Sequence, residues 1–141
     1  MTTTHFRYQG LAGAVLLALC IPSFAAASHS ESAGNVPYVT GGVGLDESTR
    51  MIADRSHYPL AVEIYEREGG HDLYTAGAKV VVRDEDGHEV LDTVAKGPFV
   101  FADVPAGHYA VEVTNDGRTE RRRLDVRDGA TARAIFVFDA A

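Results

Sequence analysis

The sequence predicts an all-β protein, an antiparallel sandwich of about seven strands with one short N-terminal helix, preceded by a signal peptide. Three observations carry this expectation. From Leu60 onward, apolar residues recur at every second position. Turn signals built on Asp-Gly, Gly-Pro and Pro-Ala-Gly separate these runs at intervals of roughly 8–12 residues, the spacing of a sandwich or barrel. The N-terminal end has the layout of an export signal. A closed barrel is the alternative arrangement of the same strands.

Met1 to Gly10 is polar and holds one basic residue, Arg7, and Leu11 to Ile21 is almost unbroken apolar sequence. Pro22 and Ser23 break that run, and Ala25, Ala26 and Ala27 supply an Ala-x-Ala cleavage site. This is the order of a secretory signal peptide. The apolar run falls short of the roughly 20 residues that span a bilayer. The alternative is an uncleaved anchor. Leu17-Ala18-Leu19-Cys20 is close to a lipoprotein box, but Leu19 stands where a small residue is needed. The expected organisation is a signal peptide at 1–27, a flexible polar lead-in at 28–35 and one domain at 36–141. Cleavage removes the only cysteine, Cys20, so the domain relies on its apolar core rather than on a disulfide. Loss of Arg7 takes the formal charge from −7 to −8. Such an acidic chain does not suit the nucleic-acid backbone, which needs clustered Lys and Arg. No later segment is long and apolar enough for stable membrane insertion. The expected location is periplasmic or secreted.

The elements follow in order. Val36 to Thr40 reads as a first strand, and Gly41, Gly42 and Gly44 mark an irregular turn. That cluster lacks the Lys-Ser/Thr of a phosphate loop. Asp46 is placed to cap a helix running to about Arg55, with Glu47 in its first turn and Arg50 and Asp54 spaced to pair. Leu60, Val62 and Ile64 alternate with Ala61, Glu63 and Tyr65 in a half-buried strand. Glu68-Gly69-Gly70 turns the chain. Lys79 to Arg83 is a strand, Asp84 to Gly87 a tight turn, and Val90-Leu91 the return. Phe99 to Phe101, Tyr109 to Val113, Arg121 to Arg127 and Ala132 to Phe138 complete the set. The expected core is Val62, Ile64, Val80, Val82, Phe99, Phe101, Tyr109, Val111, Val113, Leu124, Val126 and Phe136.

Within Gly97 to Phe138, the residues Gly97-Pro98-Phe99, Phe101, Asp103-Val104-Pro105-Ala106-Gly107, Tyr109, Val111, Val113, Asn115-Asp116-Gly117, Val126 and Gly129 form a pattern. It resembles the carboxypeptidase regulatory-like domain, a transthyretin-like sandwich of immunoglobulin-like architecture. Similar bacterial exported proteins open with a segment like Tyr38-Val39-Thr40-Gly41-Gly42-Val43-Gly44, which extends the resemblance over most of the domain. It implies a fold in which Gly107 reverses the chain and Tyr109 returns its hydroxyl to the turn, as in a tyrosine corner. It also implies a non-catalytic role, since such modules accompany catalytic zinc domains or bind carbohydrate. No His-x-x-Glu or His-Glu-x-x-His pair is present, and the Tyr-Arg-Gly-Ser tail of transthyretin-like hydrolases is replaced by Val137-Phe138-Asp139-Ala140-Ala141.

Candidate sites are few. His57, His71, His88 and His108 show no ligand spacing and read as solvated, with His71 in a Gly-rich loop. His29 is the metal candidate: a cut after Ser28 exposes it as an amino-terminal histidine, which chelates copper through amine and ring. Asp84, Glu85 and Asp86 lack the spaced oxygens of a calcium loop and read as a hairpin turn. Arg121 and Arg123 project from their strand while Arg122 shares the parity of Leu124. The pair reads either as an edge-protecting strand or as an anion or partner contact. Ser48, Ser56, Thr40, Thr93 and Thr131 have no visible His-acid partner. Tyr38, Tyr65 and Tyr74 are candidates for stacking on a sugar or partner, Tyr65 foremost because it lies on the outer face. The functional expectation is a binding or structural module of the cell envelope, working without cofactor through protein or glycan contacts. A periplasmic copper-binding protein using His29 is the alternative.

Export with loss of residues 1–27 is the first testable consequence. Intact-mass measurement on fractionated cells should give the shortened chain outside the cytoplasm. A full-length cytoplasmic species would refute it.

Overall fold

A computed structural model describes residues 31–33 and 36–141, so the expected signal peptide and His29 lie outside the described residues. The described chain is mostly strand and forms two sheets. In chain order the elements are β1 Glu31–Ala33, β2 Val36–Gly41, α1 Leu45–Asp54, a 3-10 turn Arg55–His57, β3 Leu60–Glu68 and β4 His71–Tyr74. They continue with β5 Lys79–Arg83, β6 Glu89–Val94, β7 Phe99–Ala102, β8 Gly107–Asn115, β9 Arg118–Val126 and β10 Ala132–Asp139. The larger, six-stranded sheet runs β1-β2-β7-β3-β10, with β4 also on β3, and the smaller runs β6-β5-β8-β9. β3 is long enough that β7 pairs with its first half, Leu60 to Glu63, and β4 with its second, Tyr65 to Glu68. Among the described residues no helix is long and apolar enough to cross a membrane.

The all-β sandwich expected from the alternation is present, with three corrections. There are ten strands rather than seven. Two of them, β1 within the stretch read as lead-in and β4 within the stretch read as a loop, lack an apolar alternation long enough to mark them. The sandwich is not wholly antiparallel: β10 pairs with β3 in parallel, Ala132 opposite Leu60 through Asp139 opposite Arg67. A hairpin forces its two strands to be antiparallel, but β3 and β10 are joined only through the whole of the smaller sheet. The helix cap is Gly44, at φ 86° and ψ 160°, and not Asp46, which sits in the first turn. Glu47 reaches back from that turn to accept the Val43 N–H at 3.0 Å. Asp54 lies 3.9 Å from His57 rather than pairing with Arg50.

The core between the sheets comes from the predicted parity. Leu60, Val62 and Ile64 meet Val80, Val82, Val111 and Val113, all fully buried. Leu124 is only partly buried against this core. Phe99 and Phe101 are buried as expected, but on the other side of their sheet. They stack with centroids 5.7 Å apart and form a second, smaller core with Ala61 beneath Val39, Met51 and Tyr58. β7 is therefore buried on both faces, because α1 and the turn after it cover the outside.

The glycine cluster after β2 serves this second core. A Cβ on Gly42, at φ +98°, would stand 2.4 Å from the Phe99 ring, and a Cβ on Gly97 would stand 2.3 Å from the Gly41 carbonyl oxygen. Backbone thus packs on backbone where the segment before α1 crosses the start of β7. Beyond β8, Asp116 and Gly117 both take positive φ, the conformation of a tight two-residue hairpin loop.

Tyr109 is 7% exposed and donates its hydroxyl to the Pro105 carbonyl at 2.7 Å, across the turn that Gly107 closes. Tyr109→Phe keeps the ring and deletes this bond. It should lower the denaturation midpoint by an amount worth about 0.5–1.5 kcal/mol without changing the fold. An unchanged midpoint in urea would show that the bond contributes nothing.

Candidate functional site

Period-two alternation puts Ala61, Glu63, Tyr65 and Arg67 of β3 on the outer face of the larger sheet. Glu63 is the exception to a wet outer face, since only 1% of it is exposed. Phe99 stands opposite it on β7 and Ile135 on β10. Taking a carboxylate out of water costs several kcal/mol unless it is paired and fully hydrogen-bonded. Here it is both. Arg133 on β10 is bidentate, Nε to Oε1 at 2.6 Å and Nη2 to Oε2 at 2.7 Å. Arg55, delivered by the 3-10 turn, gives Nη1 to Oε1 at 2.8 Å. Tyr65 donates its hydroxyl to Oε2 at 2.8 Å. Each carboxylate oxygen thus accepts two bonds.

Burial pushes the Glu63 carboxyl up. The hydrogen bonds from Arg133 and Tyr65, the charge of Arg133 and the bond from Arg55 outweigh it, leaving the pKa below the ordinary carboxylate value. Burial and the bond to Glu63 push the Tyr65 phenol far up, so it stays a donor. A carboxylate so saturated and so acidic is a poor proton acceptor. Its role is to hold three side chains in fixed positions.

Those side chains border an aromatic row. Tyr65 lies 5.8 Å from Tyr74 of β4, their rings tilted by 35°. Tyr74 meets Phe99 edge-on at 5.7 Å, and Phe101 continues the row to Tyr58 at 5.7 Å. α1 and its following turn cover the Phe101 end. At the other end Tyr74 is 51% exposed and Ile135 38% exposed. Arg67 and Asp72, paired at 2.8 Å, edge the far side. The uncovered part is a rigid aromatic platform with two guanidiniums at one margin.

Of the residues singled out in the sequence, Tyr65 and Tyr74 are brought together here. Tyr38 is not exposed as expected. It is 4% exposed inside the main core, with its hydroxyl 2.9 Å from that of Thr93, because it shares the inward parity of Val36. Arg121 and Arg123 lie on the outer face of the opposite sheet, bordering a groove of about 570 Å³ with Arg83, His108 and Asp125. The ionic groups there pair among themselves: Arg121 with Glu112 at 2.5 Å, Arg83 with Glu112 at 3.9 Å and His108 with Asp125 at 3.5 Å. Arg122 turns inward as its parity required. Its guanidinium lies 5.3 Å from the Phe136 centroid and its Nε bonds the Ile135 carbonyl at 3.0 Å.

His71 falls in β4 rather than in a loop, and it is exposed. Asp84, Asp86 and His88 have ligand atoms within 4.8 Å of one another. One Asp84 carboxylate oxygen already accepts the Asp86 and His88 N–H groups at 3.0 and 2.9 Å, so the trio is the closing turn of a hairpin. Glu63, Arg55 and Arg133 were not singled out. The available signal was a lone acid inside Leu60-Ala61-Val62-Glu63-Ile64, but its partner Arg133 is 70 residues away. No protein-family model matches this chain, and no curated protein sequence matches it.

Glu63→Gln removes the charge that two guanidiniums share. It should cost about 3 kcal/mol at pH 7, the lower end for a broken buried pair because both arginines are partly exposed. Since folding depresses the Glu63 pKa, its contribution is fully present above the unfolded value of about 4.3 and is lost as pH falls through the folded value. The stability gap between wild type and variant should therefore be constant from pH 8 to 5 and shrink below pH 4 in urea titrations. A gap at pH 3 equal to that at pH 7 would contradict the charged clamp.

Proposed function

We propose that this protein is a non-catalytic, exported binding module of the cell envelope, built on a carboxypeptidase regulatory-like domain, and that it holds a glycan on the Tyr65–Tyr74 platform. It works without a cofactor. The observation that carries this reading is the half-exposed Tyr74 ring, packed against Tyr65 and Phe99 and standing beside side chains fixed by Glu63. The C–H face of a pyranose ring is apolar and packs on an aromatic face, while its hydroxyls need fixed planar hydrogen-bonding groups at the margin. Both are supplied by the same strands. A preformed platform loses little conformational entropy on binding, so weak stacking contacts convert to affinity. Glu63, with its lone pairs occupied, supports binding rather than proton transfer.

Calorimetric titration of oligosaccharides into the purified domain tests this. Wild type should bind a subset of them, and Tyr74→Ala should weaken that binding at least tenfold while leaving the melting temperature within about 2 °C, as expected for an exposed side chain. Absence of glycan binding, or binding indifferent to Tyr74→Ala, would overturn the proposal. A protein ligand sensitive to the same substitution would move the module to envelope-protein contacts.

A further inference from the structure

Resting on that reading, we infer that the glycan is acidic, and that a sugar carboxylate docks on Arg55 and Arg133 while its ring lies on Tyr65 and Tyr74. Two guanidiniums converge on one oxygen of a single buried carboxylate. The cluster therefore keeps one net positive charge at the surface of a chain whose overall formal charge is −7.

Glu63 uses Nη1 of Arg55 and Nε and Nη2 of Arg133, which leaves Nε and Nη2 of Arg55 and Nη1 of Arg133 without a protein partner. Both guanidiniums reach the surface, with 29% and 44% of their side chains exposed. Guanidinium N–H groups in a fixed fork match a carboxylate in geometry as well as charge. Glu63 holds these forks in place before any ligand arrives.

The two halves of the site share an atom. Oε2 of Glu63 accepts both the Tyr65 hydroxyl and Nη2 of Arg133. The aromatic platform and the cationic margin are thus one carboxylate apart, within the span of a sugar ring and its carboxyl group. The acidic surface elsewhere works against long polyanions such as nucleic acid, because they engage many cations at once and here meet only two. A carboxylate borne on a stacking ring satisfies both halves.

The test compares oligogalacturonate with its methyl ester, which keeps the ring and hydroxyls and removes the charge. Each is titrated into the full domain at 50 and 300 mM NaCl. The acid should bind at least tenfold tighter than the ester at low salt, with the advantage reduced at high salt. Arg55→Gln, which deletes one bond to Glu63 and leaves the bidentate Arg133 pair, should narrow the acid–ester gap at least threefold; circular dichroism checks that it is folded. Equal binding of acid and ester, both weakened by Tyr74→Ala, would overturn this inference and leave the glycan reading standing. Binding of neither would overturn both. Acetate or an acidic peptide binding as tightly as the acid, regardless of Tyr74→Ala, would also overturn it, by showing a general anion site.

Discussion

The buried carboxylate of Glu63 is the constraint around which the outer face of this domain is arranged. An unpaired charge at that depth would be protonated or would open the strand to water. Once Arg133, Arg55 and Tyr65 satisfy it, three parts of the chain are tied to one point: the middle of β3, the turn after α1, and β10. None of these ties is long-lived by itself in water. They persist because Phe99 and Ile135 stand on either side of the carboxylate and exclude solvent.

The second core depends on the same region. α1 is short and mostly polar, and it is held to the sheet through Met51 packing toward Phe99 and Phe101. That packing requires the chain before α1 to lie directly on the chain before β7, which Gly41, Gly42 and Gly97 permit by having no side chain. A sequence feature that looks like a ligand loop thus serves a backbone contact. The aromatic row is continuous with this core, so the exposed Tyr74 is backed by buried rings rather than standing alone on a hairpin.

Much of the sandwich was legible in sequence because its causes are local. Alternation at Leu60-Val62-Ile64 and Tyr109-Val111-Val113 gives the inward face directly, and Asp116-Gly117 gives its own turn. Tyr109 was legible because turn and acceptor lie within a few residues. What was not legible depends on distant partners. Glu63 reads as a wet-face residue until Arg133 is beside it. Phe99 and Phe101 read as sandwich core until α1 covers the opposite face. The parallel pairing of β3 with β10 has no local signal, and β4 is recognisable only because β3 extends past the end of β7. Tyr38 is different: its inward parity with Val36 was present in the sequence, and its burial follows from that parity alone.

The 70-residue separation between Glu63 and Arg133 also sets an order of assembly. During synthesis β3 emerges long before β10, and until β10 arrives one entire edge of β3 and its buried acid have no partner. β7 and β4 can dock on the other edge, and β5, β6, β8 and β9 can pair among themselves, because hairpins close over short loops at low entropic cost. The central strand of the larger sheet cannot settle with them. Burial of the outer face therefore waits for a late, non-local event, and a chain interrupted before residue 132 would keep a hydrated carboxylate in the middle of its longest apolar strand.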